Sequence, residues 1–442
     1  MSLIVVGAGA AGMFAAITAA RRGVSVQVLE ATKKPMRKIL QSGGGRCNVL
    51  HRPLSNPREL SEHYPRGNRE LIGPFTSQFT QHQTFQWFEN EGVSLKVEED
   101  GRCFPVTDNS ETVASALRVA AQEAGVSISV GTRVTKIQPH NSSNNFQWKV
   151  YVKNKRNAKD GVLVADACML ATGSTPAGFE LAHKLDLNIC KLMPSLFSFR
   201  LQPGHLLEGL QGVTFANAEL SLLENPVQGQ EGRTTKSKPT LLNKQRGALL
   251  ITHRGISGPA ALRLSSFAAA HLFDCRYKGQ LRLNCLPGMS IENIRQELLA
   301  FRNKSNKSLV SGGASSAYPF RESIPRRVWQ NITKKVINGQ CDLRWNDLKK
   351  EHVAQLCQLL VNIVLPFIGK DTNKEEFVTA GGVDLKEISL KTCESKRYKN
   401  LYFGGEILNV DGVTGGFNFQ ACWTTGYMVG AAVSSHLNDG AE

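Results

Sequence analysis

The 442-residue chain contains no run of 18 apolar residues. Its best candidate, Leu356 to Gly369, is interrupted by Asn362 and Pro366 and is too short for a hydrocarbon core of about 30 Å. A soluble protein with no membrane partner is expected. The ten cysteines, at positions 47, 103, 168, 190, 275, 285, 341, 357, 393 and 422, never stand at the two- to four-residue spacing of a zinc knuckle. They read as reduced thiols of a cytoplasmic protein with no metal site. No basic and apolar leader precedes Leu3-Ile4-Val5-Val6-Gly7, so an organelle location would need a leader removed ahead of it. There is no internal repeat and no dominant polar tract, and with 41% hydrophobic and 20% charged residues the chain is globular in composition. Nothing in it speaks to oligomeric state.

Acidic charge is also in short supply, with 37 Asp and Glu against 53 Lys and Arg, a net charge of +16. The imbalance is local: residues 191–375 hold 26 basic and 13 acidic residues, +13 of the total. Such a field attracts polyanions, whether a nucleotide cofactor, an acidic substrate or nucleic acid. A solvated basic surface without a ligand is the plainer alternative.

What is present begins at the N-terminus. Residues 3–7 form an apolar, β-branched run fit for a buried parallel strand, residues 8–22 an alanine-rich helix, and Ser25 to Glu30 a second strand. Between the first strand and the helix, Gly7-Ala8-Gly9-Ala10-Ala11-Gly12 satisfies G-x-G-x-x-G. Gly7 permits the tight turn, Gly9 lets backbone approach a pyrophosphate, and Gly12 lets helix pack on strand. Gly7, Gly9, Ala11 and Gly12 are therefore expected to bind a dinucleotide. Glu30, at the end of the second strand, can accept from both hydroxyls of a ribose, and its charge opposes a 2′-phosphate there. FAD or NAD fits this position and NADP does not.

The next segment, Ala31 to Asn48, has five cations and no acid, and carries Ser42-Gly43-Gly44-Gly45-Arg46-Cys47-Asn48. A triple glycine can present backbone N–H groups to a phosphate or a flat ring. Further on, Thr112 to Ala124 reads as helix, Val126 to Lys136 as strand, and Phe146 to Val152 with Gly161 to Ala167 as a hairpin or meander. From Lys191 short alternating segments suggest a β-barrel-like piece, and Pro226 to Pro239 a polar hairpin tip or loop. Ile291 to Arg302, Arg326 to Ile337 and Trp345 to Val364 have helical periodicity, and a final helix runs from about Gly416 towards Leu437. The expected fold class is α/β. A Rossmann-like domain of residues 1–190 and 376–442 is split by a β-rich insert, 191–290, and a helical subdomain, 291–375.

The first 48 residues resemble the two-dinucleotide-binding-domain flavoproteins. The S-G-G-G-R-C-N block is similar to that of the YhiN-like (HI-type) FAD-dependent flavoproteins, a bacterial and plastid-lineage family that includes a bile-acid-type enone reductase. Three further blocks carry the resemblance across the chain: Thr252-His253-Arg254-Gly255-Ile256-Ser257-Gly258-Pro259, Thr379-Ala380-Gly381-Gly382-Val383, and the closing segment from Gly404 to Gln420. It implies that Gly9, Gly12, Glu30, Lys38, Ser42, Gly43, Gly44, Arg46 and Asn48 follow the AMP, pyrophosphate and flavin path. The Val134 backbone would meet adenine, and Ala171, Thr172 and Gly173 would form the crossing strand. Gly405 and Glu406 would touch the pyrophosphate or ribityl chain, and Gly415, Gly416 and Asn418 would open the last helix against the flavin. Cys47 reads as a buried neighbour of the flavin, and Glu406 and Asp411 are assigned to cofactor hydroxyls. Two positions depart from the family: Ser174 to Gly178 is shorter than its usual glycine-rich stretch, and Asn409 replaces a frequent Asp.

Two cysteines separated by four residues beside the flavin, the mark of disulfide reductases, are missing, Arg52 standing at that distance from Cys47. So is a second G-x-G-x-x-G, Gly312-Gly313 lacking a third glycine, so NAD(P)H as electron donor would bind transiently through the basic middle. His253 and Arg254 lead as the catalytic proton donor pair, against a structural turn in which His253 caps a helix at Gly258. The leading reading is a FAD-dependent oxidoreductase passing hydride from NAD(P)H to a small conjugated substrate. Nucleic acid is the less favoured partner, since aromatics are only 7% and form no stacking stripe. The alternatives are a FAD-dependent tRNA-modifying enzyme and a flavin-bearing redox sensor without turnover.

Overall fold

The computed structural model describes residues 1–52, 54, 56–142, 145–154, 160–224, 241–312, 317–340, 343–371 and 378–438. The expected loop Pro226 to Pro239, Gly313 and Cys341 lie outside the described residues. The chain divides into two compact units, Met1–Met193 with Val378–Glu442, and Pro194–Phe377.

The first unit is built on five strands: β1 (Ser2–Val6), β2 (Ser25–Glu30), β3 (Ser127–Val130), β4 (Ala167–Leu170) and β5 (Leu401–Phe403). They form one parallel sheet in the order β5-β4-β1-β2-β3. Leu3 to Val6 are all buried, which is why β1 reads as an unbroken apolar run. The helix Ala10–Ala20 follows, and small residues let it meet the C-terminal helix Gly415–Asn438 closely: a Cβ at Gly426 would lie 2.7 Å from the Ala11 carbonyl oxygen. The expected strand over 126–136 divides at Gly131, whose φ of +68° turns the chain off the parallel sheet. Thr132–Ser142 then enters an antiparallel meander with Asn145–Asn154 and Asp160–Ala165.

The second unit is a closed six-stranded barrel with a helical insert. Around the barrel run Ser198–Leu201, Gly255–Ser257, Leu241–Ile251, Thr214–Leu223, Gly279–Asn284 and Ile363–Asp371. The last of these corrects the expected helix over Trp345–Val364. Helix Lys350–Val361 stops at Asn362, and the next residues alternate, with Ile363, Leu365 and Phe367 buried and Val364 and Ile368 exposed. Pro366 cannot sit inside a helix without breaking its bonding, whereas this strand accommodates it beside the register shift at which Arg200 pairs with Gly369 and Leu201 with Phe367. The helices Ile291–Lys304, Arg326–Val336 and Lys350–Val361 thus interrupt the barrel before its closing strand, and share a core around Trp329 and Trp345, stacked at 6.3 Å. Among the described residues no helix is long and apolar enough to cross a membrane.

Candidate functional site

The glycine turn sits where β1 hands over to its helix. Gly7 has φ +111°, donates its N–H to the Leu29 carbonyl at 2.8 Å, and lies so close to β4 that a Cβ would stand 2.4 Å from the Ala171 oxygen. At Gly12 a Cβ would stand 2.0 Å from the Gly7 oxygen, while at Gly9 it would meet nothing within 4 Å. Gly9 is the N-cap of the helix, with no side-chain cap and no acid in the first turn. The positive end of that helix is therefore left to a ligand, as pyrophosphate binding demands.

Glu30 is fixed before any ligand arrives. One carboxylate oxygen accepts from the Ala8 N–H at 3.0 Å, the other from the Thr32 N–H at 2.8 Å and its hydroxyl at 2.7 Å. The oxygen that accepts from Ala8 retains a lone pair for a ribose hydroxyl.

These residues line a cleft of about 420 Å³. Of the expected site residues, the structure brings together Gly7, Gly9, Ala11, Glu30, Lys38 and Val134 with Ala171, Thr172, Gly173, Gly405 and Glu406 on its walls; Gly12 lies just behind them. Lys38 forms an ion pair with Glu406 and donates to the Ser174 hydroxyl at 3.1 Å. Gly405, with φ +74°, donates its N–H to the Thr425 hydroxyl at 2.9 Å. Within the short Ser174 to Gly178 stretch, helix Pro176–His183 starts, capped by Thr175, and Gly178 packs so tightly that a Cβ would lie 1.8 Å from the Thr172 hydroxyl. The sequence reading missed Arg133, Gly178, Phe419 and Cys422 on this wall. Phe419 and Cys422 stand three apart on the last helix, a spacing that marks one face. Burial pushes the Cys422 thiol up to about 12, so it is a neutral wall at physiological pH.

The remaining expected residues are engaged elsewhere in the same unit. Ser42 to Gly45 form a tight turn with Gly43 and Gly44 at positive φ, and the buried Cys47 thiol is pushed up to about 12 by desolvation. Arg46 is tied by ion pairs to Glu98 and Asp108 and lies 3.9 Å over the Phe104 ring. Asn48, with its amide oriented to satisfy both groups, accepts from the Gly416 N–H at 3.1 Å and donates to Leu50 at 3.0 Å, so it caps the last helix. Asn418 accepts from the Gly412 N–H at 2.9 Å and donates to the Gly412 and Thr414 carbonyls at 3.0 Å, clamping the turn that leads into Gly415. Asp411, expected on cofactor hydroxyls, is nearly fully buried and accepts from Arg66 through both oxygens. A buried carboxylate needs a cation, and Arg66 supplies it. The histidines read as ordinary include His51 and His63, which stack on Phe417 at 4.8 and 4.4 Å. Desolvation lowers the His51 ring below its usual value.

His253 and Arg254 belong to the second unit, on the turn between Leu241–Ile251 and Gly255–Ser257, both exposed. His253 does not cap the next helix: Pro259–Phe267 begins at Gly258 with no side-chain cap.

The donor set of the cleft fits an FAD. An open glycine at an uncapped helix N-terminus suits a pyrophosphate, the anchored Glu30 suits a ribose, and Lys34, Arg37, Lys38 and Arg133 at the cleft balance phosphate charge.

The family model described as HI0933-like protein Rossmann domain matches residues 1–432. The chain belongs to this family. A ribosomal RNA dihydrouridine synthase of Haemophilus influenzae is 26% identical to this HI0933-like protein over 446 residues, covering 98% of each chain. Its Escherichia coli counterpart of the same name is 27% identical, covering 96% of each. A 3-dehydro-bile acid delta(4,6)-reductase of Clostridium scindens is also 27% identical, covering 97% of this chain and 98% of its own. With its Rossmann-type FAD-binding fold, this HI0933-like protein is a FAD-dependent oxidoreductase.

Proposed function

We propose that this protein saturates a carbon–carbon double bond conjugated to a carbonyl, and that its substrate class is a uracil base within RNA. The observation that carries the RNA reading is the charge surplus of residues 191–375, 26 basic against 13 acidic. It gains support from the two relatives named for dihydrouridine synthesis in ribosomal RNA. This reverses the order of preference drawn from the sequence, where a small conjugated substrate came first. The smaller substrate stays as a second reading because the third relative is named a bile acid reductase. Both substrates present the same chemistry, a double bond whose far carbon accepts hydride because the carbonyl takes up the charge.

FAD, when bound in the cleft, supplies the hydride-transfer chemistry. The chain's own part is to bind and orient it. The Gly9 turn and the helix behind it hold the pyrophosphate, Glu30 fixes the ribose, and the Lys38–Glu406 pair fixes the wall below Gly405. In balance, NAD(P)H loses a hydride, and the double bond gains that hydride and one proton. Of the pair His253 and Arg254, on an exposed turn that a substrate can reach, His253 is retained as the proposed proton donor and Arg254 as the cation that holds the substrate beside it.

The test is to incubate the flavin-loaded protein with NADPH and RNA transcribed without modifications, then digest the RNA and measure dihydrouridine by mass spectrometry. Appearance of dihydrouridine supports the reading. Unchanged RNA together with reduction of a steroidal enone would transfer it to the small substrate.

A further inference from the structure

The block Thr252-His253-Arg254-Gly255 is built as a rigid turn. The Thr252 hydroxyl accepts from the Gly255 N–H at 3.1 Å, and Thr252 N–H donates to the Gly255 carbonyl at 2.8 Å. Gly255 has a steric reason to be glycine, since a Cβ there would lie 2.1 Å from the Phe199 oxygen. The turn holds His253 and Arg254 at the mouth of a separate pocket of about 220 Å³ in the barrel unit.

Arg200 enters the same pocket from strand Ser198–Leu201. Its directly opposed cross-strand partners are both glycines, Gly255 on one side and Gly369 on the other. The opposite rim carries His205 and Gln211. His205 Nδ1 accepts from the Leu207 N–H at 3.2 Å, which leaves Nε2 to carry the ring hydrogen and donate. One carboxylate, Glu208, lines the pocket, and a second, Asp371, pairs with Arg254. Glu208 accepts from the Gly204 N–H at 2.7 Å, and Asp371 meets Arg254 at 3.4 Å in an exposed pair that is weak enough to exchange for a ligand. The apolar part of the lining is Leu201, Pro203, Leu207 and Ile368. Two forked cations in one pocket with apolar lining match a phosphate ester attached to a sugar and base.

We propose that this pocket is a nucleotide-phosphate subsite in which Arg200 and Arg254 grip a phosphate ester. It rests on the reading that the protein meets RNA or a nicotinamide dinucleotide, which share this group. The cleft of the first unit and this pocket then bind phosphates with different elements, one with a helix terminus and one with side chains.

The experiment uses the full-length, flavin-loaded protein and the variants Arg200→Gln, Arg254→Gln and Arg200→Lys, with Lys334→Gln/Lys335→Gln as a charge control on the helical insert. Affinity for a uridine-containing single-stranded RNA is measured by anisotropy across a salt series, and affinity for NADPH by titration under anaerobic conditions. Retained flavin absorbance and an unchanged melting profile establish that each variant folds. The proposal expects each glutamine variant to weaken one ligand about tenfold. If RNA is that ligand, the salt slope falls by about 0.7 for each phosphate no longer held. Arg200→Lys should recover only part of the loss, because lysine lacks the fork. Loss of RNA affinity alone identifies RNA as the source of the phosphate, and loss of NADPH affinity alone identifies the dinucleotide. If neither affinity moves, or the lysine control loses as much, the subsite is overturned. Wild-type binding of RNA in that case leaves the RNA reading intact, whereas wild-type indifference to RNA would remove that reading too.

Discussion

The Glu30 carboxylate accepts the backbone N–H of Ala8 at 3.0 Å, joining the end of the second strand to the glycine turn at the end of the first. One side chain therefore shapes the turn and presents the ribose acceptor. Glu30→Ala removes charge-assisted bonds worth about 1.5–3 kcal/mol. It should lower FAD affinity at least tenfold in a flavin fluorescence titration, whereas unchanged affinity would show that the ribose is held elsewhere.

Gly9 and Gly12 separate binding from folding. A Cβ at Gly9 meets nothing within 4 Å, but at Gly12 it would lie 2.0 Å from the Gly7 carbonyl oxygen. Gly12→Ala should destabilise the first unit by about 1–3 kcal/mol. Gly9→Ala should melt like the parent without ligand and lose FAD affinity, because the added methyl occupies the approach to the helix N-terminus. Thermal melts with and without FAD distinguish the two.

Asp411 and Arg66 form an ion pair in which the carboxylate is nearly fully buried. Asp411→Asn removes the charge from the buried member of the pair and should cost about 3 kcal/mol. A lowered unfolding midpoint is the expected outcome of a urea titration. A midpoint equal to the parent's would mean that the pair contributes nothing to the unit.

Burial raises six thiols, those of Cys47, Cys103, Cys168, Cys285, Cys393 and Cys422, to about 12 from an ordinary value of 9.0. In the folded state they stay protonated between those values, while in the unfolded chain they ionise above 9.0. Their contribution is complete below that pH and is lost as pH rises towards 12, by about 1.4 kcal/mol per thiol per pH unit. Urea midpoints under reducing conditions should fall between pH 9 and 10. At neutral pH the same thiols should resist iodoacetamide until the protein unfolds.

The sequence reading worked where the signal is local. A buried parallel strand must be apolar along its length, a tight turn must be glycine, and an acid ending the next strand needs only about 20 residues of context. Gly7, Gly9, Glu30 and the flanking elements were legible for that reason. Phe419 and Cys422 were not, because the last helix is apolar on nearly all sides and only its packing decides which face meets the cleft. Nor was the Arg66–Asp411 pair, 345 residues apart in sequence, which redirected Asp411 from cofactor binding to the core. The strand Ile363–Asp371 was misread because a short apolar run fits helix and strand alike. Only closure of the barrel decides it.

The central claim is that a reduced nicotinamide and an RNA uracil meet through a flavin bound to this chain. It is tested most directly by following the visible flavin band anaerobically, first with NADPH and then on adding RNA transcribed without modifications. The account predicts bleaching by NADPH and recovery of the band when that RNA is added, but not when fully dihydrouridylated RNA is added. A protein that takes up no FAD, or a bleached band indifferent to every RNA, would contradict it.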